Sequence, residues 1–285
     1  MNPIVLLLPF VLATTGNHHY LTRQEQLNAT FTASPAQQYT KNVWQERADF
    51  GKYFQQANVK GTFILYDLKK DQYLVYNSKR ANTRFIPAST FKIFNSLVAL
   101  ETSVVKDENE VIKWDGVKRE FPKWNRDQTM RTAIKDSVVW FYQELARRIG
   151  QERMQHYINL AGYGNRDISG GIDQFWLQGG LRISPKEQID LLVKLYRNEL
   201  PFSQRTMNIV KDILINEKTN NYVLRGKTGW GWESTPQVGW YVGYLQRGDN
   251  VPYFFAINMD ITKPEDIKAR IAITKSILRD MGLLD

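Results

Sequence analysis

Pro87-Ala88-Ser89-Thr90-Phe91-Lys92 opens a segment in which Phe91, Phe94, Leu97, Val98 and Leu100 recur at helical spacing, so a helix is predicted from 90 to about 100 with Ser89 at its N-terminus. On that helix Lys92, three residues after Ser89, shares a face with it, and its amine can approach the hydroxyl. A serine hydroxyl is a weak nucleophile until a base takes its proton, and a lysine can serve once burial favours its neutral form. The helix N-terminus adds backbone N–H groups suited to an oxyanion. Ser103-Val104-Val105-Lys106 repeats the spacing, but it sits at the end of the same helix beside the charged run Lys106-Asp107-Glu108-Asn109-Glu110. Lys106 is therefore expected to be solvated and protonated.

Outward from this segment, Gly61–Asp67 and Gln72–Tyr76 read as strands joined by the polar turn Leu68-Lys69-Lys70-Asp71, a hairpin. Helices are expected at about 129–149, closed by Gly150, and at 151–161, closed by Gly162. Ser184-Pro185-Lys186-Glu187 is a capping box with Pro in the first turn, followed by Ile189, Leu192 and Leu195 at helical spacing. The stretches 222–226, 238–245 and Tyr253–Asp260 read as strands, and an amphipathic helix from 264 to about 281 follows. Strands toward both ends and helices between them imply an α+β fold: an antiparallel sheet assembled from both termini, flanked by helices, with a helical lobe packed against it. The sheet lobe is expected at about 39–88 and 205–285 and the helical lobe at about 89–204, with a ligand cleft between them.

The chain has 285 residues, 42% hydrophobic and 24% charged, which fits a globular protein with a sizeable core. It has no Cys, which removes disulfides, thiolate zinc sites, Fe–S clusters and cysteine nucleophiles. Of its 3 His, His18 and His19 adjoin an apolar N-terminal run and only His156 lies in the body, so a Ser-His-Asp triad would rest on that one residue. Residues 1–16, MNPIVLLLPFVLATTG, carry no charge, and their apolar stretch 3–13 is too short to span a bilayer. They read as a secretory signal cleaved after Ala13 or near Gly16, followed by a polar linker at 17–38. The implied location is across the inner membrane, in the periplasm, with no membrane span after cleavage. The 38 Lys+Arg against 29 Asp+Glu give a net charge of +9, which favours anionic partners. The densest basic runs are pairs, Lys69-Lys70 and Arg147-Arg148, scattered among acidic residues, so a basic surface without a nucleic-acid role is expected and small carboxylate-bearing substrates remain.

Further short motifs follow Ser89 and Lys92 in order: Ser137-Val138-Val139, Tyr163-Gly164-Asn165, Phe175-Trp176-Leu177 and Lys227-Thr228-Gly229. The set resembles the penicillin-recognising serine enzymes, with their Ser-x-x-Lys, Ser-x-Val or Ser-x-Asn, and Lys-Thr-Gly elements. The Ser-x-Val form, the Tyr-Gly-Asn triplet and the later Trp-Leu are similar to the oxacillinase-type class D β-lactamases, over the chain from about Trp44 onward. Each triplet alone is unspecific; their shared order carries the likeness.

The resemblance implies a β-lactamase/transpeptidase-like fold whose active site lies in the cleft between the lobes. It implies hydrolysis of the β-lactam amide bond of penicillin-type antibiotics through a serine acyl-enzyme, and so antibiotic resistance. Ser89 matches the nucleophile and Lys92 the lysine that the family carboxylates to make a general base. Ser137 matches the proton-shuttling hydroxyl, Val139 the apolar neighbour of the modified lysine, and Trp176 the indole that holds the carbamate. Lys227, Thr228 and Gly229 match the strand on the other wall, and Arg270 the residue that binds the substrate carboxylate. Tyr163, Gly164 and Asn165 match a supporting motif. No metal or organic cofactor is implied, only CO2 or bicarbonate for N6-carboxylation of Lys92, and the assembly is a monomer or homodimer.

A carbamate forms only from a neutral amine, so Lys92 needs an apolar pocket, for which Phe91, Val139, Trp140, Phe141, Trp176 and Leu177 are candidates. Backbone N–H groups of Ser89 and Trp230 would form the oxyanion hole. Lys227 and Arg270 would bind an acidic substrate by charge-assisted hydrogen bonds. Two other readings use the same motifs: a β-lactam sensor domain that stays acylated, and a penicillin-binding D,D-peptidase. A non-catalytic basic binding module would explain the charge and leave the ordered motifs to chance.

Overall fold

Short strand β1 (Val43–Glu46) leads through α1 (Gly51–Gln56) into the hairpin of β2 (Gly61–Asp67) and β3 (Gln72–Tyr76). A single helical turn α2 (Ser78–Ala81) follows, then a 3₁₀ turn (Ala88–Phe91) that runs into α3 (Lys92–Glu101). The middle of the chain supplies α4 (Met130–Lys135), α5 (Val139–Ile149), α6 (Gln151–Ala161), α7 (Pro185–Arg197) and α8 (Gln204–Ile213). Strands β4 (Ile215–Lys218), β5 (Val223–Gly231), β6 (Val238–Gln246) and β7 (Tyr253–Asp260) return to the sheet, and α9 (Asp266–Asp280) follows them. A computed structural model of the chain describes residues 43–248 and 252–284. The expected signal at 1–16 and linker at 17–38, with His18 and His19, lie outside the described residues. Among those described, no helix is long and apolar enough to cross a membrane.

The described strands form one sheet in the order β1-β3-β2-β7-β6-β5-β4, so β2 from the N-terminal part pairs directly with β7 from the C-terminal part. Alternation along the strands gives the sheet two apolar faces. Phe63, Leu65, Tyr241, Phe255 and Ile257 join Phe50 and Phe54 from the α1 region and Ile273, Ile277 and Leu278 from α9. Ile64, Tyr66, Val242, Phe254 and Ala256 face the larger core, which holds Ile189 and Leu192 of α7 and Phe94 and Leu97 of α3. Helix α3 is buried at every position from Lys92 to Leu100, the pattern of a helix surrounded by protein. Each fully buried Leu or Phe there contributes about 1.5–3 kcal/mol of transfer free energy, so the helix carrying Lys92 is among the least free to move.

The structure departs from the expected elements at three informative places. The expected antiparallel sheet is antiparallel except at one edge, where β1 runs parallel to β3. The reason is connectivity: the chain passes from β1 through α1 and β2 before β3, a crossover rather than a hairpin. The single helix expected at 129–149 is two. Thr129 and Thr132 form a reciprocal cap that opens α4, and Ser137 at φ +55 ends it before α5 begins. The strand expected at 222–226 continues to Gly231, which puts Lys227-Thr228-Gly229 inside β5. Its glycines weaken the strand pattern yet are needed sterically, since a Cβ on Gly226 would meet Tyr241 at 2.7 Å and one on Gly229 would meet the Pro87 carbonyl oxygen at 3.1 Å.

Candidate active site

Ser89 lies in the 3₁₀ turn and Lys92 is the first residue of α3, so local backbone geometry alone brings them together. The Lys92 Nζ donates to Ser89 Oγ at 2.8 Å. Lys92 is fully buried, whereas Ser103 and Lys106, the other pair at this spacing, are both exposed. Burial, and secondarily the charge of Lys227, pushes the Lys92 amine well below the ordinary lysine range. The residue before the nucleophile, Ala88, sits at φ +48, held by its N–H donating to the Trp176 carbonyl at 3.0 Å. A left-handed Ala costs roughly 1–2 kcal/mol, and such strain persists only where surrounding packing imposes it.

The wall behind Lys92 is aromatic. Phe91 stacks on Trp176 with centroids 5.4 Å apart and meets Tyr163 and Phe175 edge-on. Trp176 is completely buried, and among the described residues its indole Nε1 has no hydrogen-bond partner. A buried N–H without an acceptor is costly, so this donor is free to bind an oxygen placed beside it. Of the other apolar candidates, Val139 lines the cleft beside Ser89, and Phe141 is fully buried edge-on to Trp140 and Tyr142. Trp140 turns its indole to the Trp124 carbonyl and lies under Arg119. Leu177 lines another cavity, with Phe85 and Ile86.

Ser137 and Lys227 come from the two sides of the cleft. The left-handed turn at Ser137 presents its Oγ, which accepts from Lys227 Nζ at 3.0 Å; the same ammonium donates to the Thr228 carbonyl at 2.9 Å. Lys227 is only 4% exposed, and burial together with the Arg270 guanidinium brings it down to about 7. Arg270 on α9 donates through Nη1 to the Gly229 carbonyl at 2.7 Å, while its Nε is buried without a partner among the described residues. Burial lowers its guanidinium to about 10. Two cations thus stand close together with spare donors, an arrangement that favours a carboxylate between them. Gly226 N–H donates to the Leu214 carbonyl, on the side away from β6. The two-residue alternation of β5 turns the Thr228 and Trp230 amides to that same side, past the end of β4.

Ser89, Ser137, Val139, Thr228, Gly229 and Arg270 border a cleft of about 240 Å³, while Lys227, in contact with Ser137, lines a neighbouring cavity that shares Thr228. The mouth of the cleft is apolar, formed by Phe121, Trp124, Trp230, Trp232 and Ile267, and only Trp230 among these was legible as a site residue. Asp136 also reaches the cleft, with its carboxylate engaged by Lys123 and Arg126. Tyr163, Gly164 and Asn165 stand behind the site. Asn165 exchanges hydrogen bonds with Arg182 and donates to the Gly180 carbonyl at 2.8 Å, clamping the segment that returns from Trp176. Tyr142, whose ring lies 5.4 Å from Lys92 Nζ, gave no signal in sequence because its neighbour is 50 positions away. His156 is exposed on α6, edge-on to Tyr157 and away from these groups.

A buried lysine held at about 7 has a stability consequence. In the unfolded chain Lys227 titrates near its ordinary 10.5, so between the two values the unfolded state binds more protons. The cost of the charged side chain is full below about pH 7 and disappears as pH rises toward 10.5. In CO2-depleted buffer, Lys227→Met is expected to raise Tm by several degrees at about pH 6 and by clearly less at about pH 9.5. Equal shifts in thermal melts at the two pH values would show that Lys227 is not destabilised by its charge.

Comparison with known proteins gives a consistent result. Residues 61–280 match the family described as the penicillin binding protein transpeptidase domain. Over 241 residues the chain is 48% identical to β-lactamase OXA-48 of Klebsiella pneumoniae, covering 85% of this chain and 91% of that one. It is 50% identical over 224 residues to the probable β-lactamase YbxI of Bacillus subtilis, covering 79% and 82%. Among solved structures, the class D β-lactamase YbXI from Nostoc superposes with a TM-score of 0.81 at 51% identity, covering 82% of this chain and 99% of that one.

Proposed function

The chain belongs to the class D β-lactamases, serine hydrolases within the penicillin-binding transpeptidase-domain family, and from that membership we propose how its own residues open a β-lactam ring. The base at the Lys92 position takes the Ser89 hydroxyl proton as Oγ attacks the lactam carbonyl carbon, and the Ser89 and Trp230 amides receive the developing oxyanion. Lys227 and Arg270 hold the substrate carboxylate. Ser137 Oγ–H delivers a proton to the departing lactam nitrogen and takes one in turn from Lys227 Nζ, which donates to it. The resulting ester on Ser89 is cleaved by water, which requires a base at the Lys92 position.

The observation that carries this reading is the 2.8 Å contact between Ser89 Oγ and a fully buried lysine whose surroundings favour the neutral amine. Carboxylation of that amine by CO2 would supply an anionic base at Ser89 Oγ, for which the unpartnered Trp176 Nε1 is a fitting donor. Phe91 and Val139 keep the pocket apolar. All the groups named belong to one chain, so a monomer or a homodimer carries complete sites. The charge-free apolar segment in 1–16 supports export across the inner membrane into the periplasm.

A chromogenic cephalosporin tests the proposal. Repeated turnover is expected; one equivalent of label per chain without turnover would instead indicate a sensor domain, and no reaction would remove the acyl-enzyme reading.

A further inference from the structure

Tyr142 is fully buried on α5, and both of its ends are tied to the helix that carries Lys92. Its carbonyl accepts from Asn95 Nδ2 at 3.0 Å. The Ser96 hydroxyl donates to the Lys92 carbonyl at 2.8 Å, so the 3.0 Å contact between Ser96 Oγ and the Tyr142 hydroxyl has the phenol as donor. Burial raises the phenol far above neutral pH, so it stays protonated in that bond. With backbone and hydroxyl fixed three and four residues beyond Lys92, the ring cannot drift from the amine, whose Nζ lies 5.4 Å from its centroid.

The groups that meet Lys92 Nζ differ in what they favour. Ser89 Oγ, from the same turn, accepts a hydrogen bond from the amine. Burial and the Lys227 charge from β5 oppose the ammonium form. The Tyr142 ring, from α5, attracts a cation through its π-face and repels an anion.

We propose that Tyr142 is a positioning residue for the general base, its pinned ring stabilising the Lys92 ammonium and thereby setting how far into acid the carboxylated lysine persists. This rests on the reading that Lys92 takes up CO2. Carboxylation transfers the nitrogen lone pair to CO2 carbon, and the ammonium must first lose a proton. Whatever favours the ammonium therefore raises the pH at which carboxylation is lost.

The test is ¹³C NMR of the full chain in ¹³C-bicarbonate, following the carbamate resonance against pH. Tyr142→Phe keeps the ring and its backbone anchor to Asn95 while losing the hydroxyl anchor, and is expected to move the midpoint of signal loss by less than removal of the ring does. Tyr142→Met removes the ring at similar volume and is expected to move the midpoint down by about half a pH unit to one unit. If the Met variant does not fold, fluorinated phenylalanines at position 142 weaken the π-face at constant shape, and the midpoint should fall stepwise with fluorine count. A wild-type carbamate whose midpoint is the same in the Met or fluorinated proteins overturns the role of Tyr142. Absence of any wild-type carbamate overturns the carboxylation reading itself.

Discussion

Lys92→Ala is expected to turn a catalyst into a trap. The variant keeps Ser89, Ser137, Lys227 and Arg270, so a penicillin still finds its carboxylate partners and the nucleophile, and acylation proceeds slowly. Deacylation has no substitute base, because Lys92 is the group in contact with Ser89 Oγ and the only His of the body, His156, is exposed on α6. A positioned general base is worth about 10²–10⁴-fold, so ester hydrolysis should slow by that factor. Intact mass spectrometry after brief exposure to benzylpenicillin should show one adduct per chain that persists for hours, localised to Ser89. Rapid return of the Lys92→Ala protein to its unlabelled mass would remove Lys92 from the base role.

Gly164→Ala should damage the fold rather than the chemistry. Gly164 sits at φ +50, and a Cβ there would come within 2.0 Å of the Arg182 carbonyl oxygen and 3.0 Å of its carbon. The obstruction is backbone, so the 180–183 segment would have to move. That segment is held by Asn165 on one side and on the other by the reciprocal bridge between Phe85 and Ile183, two residues before Pro87. The clash plus the positive φ should cost roughly 3 kcal/mol or more, lowering Tm by about 6 °C or more. Thermal and urea melts measure this directly. A loss under about 1 kcal/mol would mean that the segment is far more yielding than its hydrogen bonds imply.

The parts of the fold that were legible in sequence are those whose signals are local. The hairpin of β2 and β3, the Gly150 and Gly162 boundaries of α6, and the Ser184 capping box all depend on residues within a few positions of one another. Ser137 was legible as a site residue but not as a helix breaker, because no local pattern marks a serine that adopts a left-handed conformation. The extension of β5 was hidden by Gly229 and Gly231, which lower strand propensity, although Gly229 is what allows the 3₁₀ turn of Ser89 to approach. Edge strand β1 has four residues and little burial, too little pattern to read. The rim of Phe121, Trp124, Trp232 and Ile267 and the ring of Tyr142 are assembled from distant segments, and each residue by itself looks like ordinary core or loop.

The missing Cys and scarce His acquire a meaning at this site, where a serine and a buried lysine occupy the positions that a triad or a thiolate would otherwise fill. The +9 charge is explained only locally, by Arg270 lining the cleft and Lys227 in contact with Ser137 beside it.

The central claim, that Lys92 serves as a base made by reaction with CO2, is tested most directly by steady-state hydrolysis of benzylpenicillin at about pH 6 in rigorously CO2-depleted buffer and again after bicarbonate is added. The expected result is a low rate without CO2 that rises severalfold or more on addition, saturably, with no such response in Lys92→Ala. A rate that is high from the start and indifferent to bicarbonate would contradict the account.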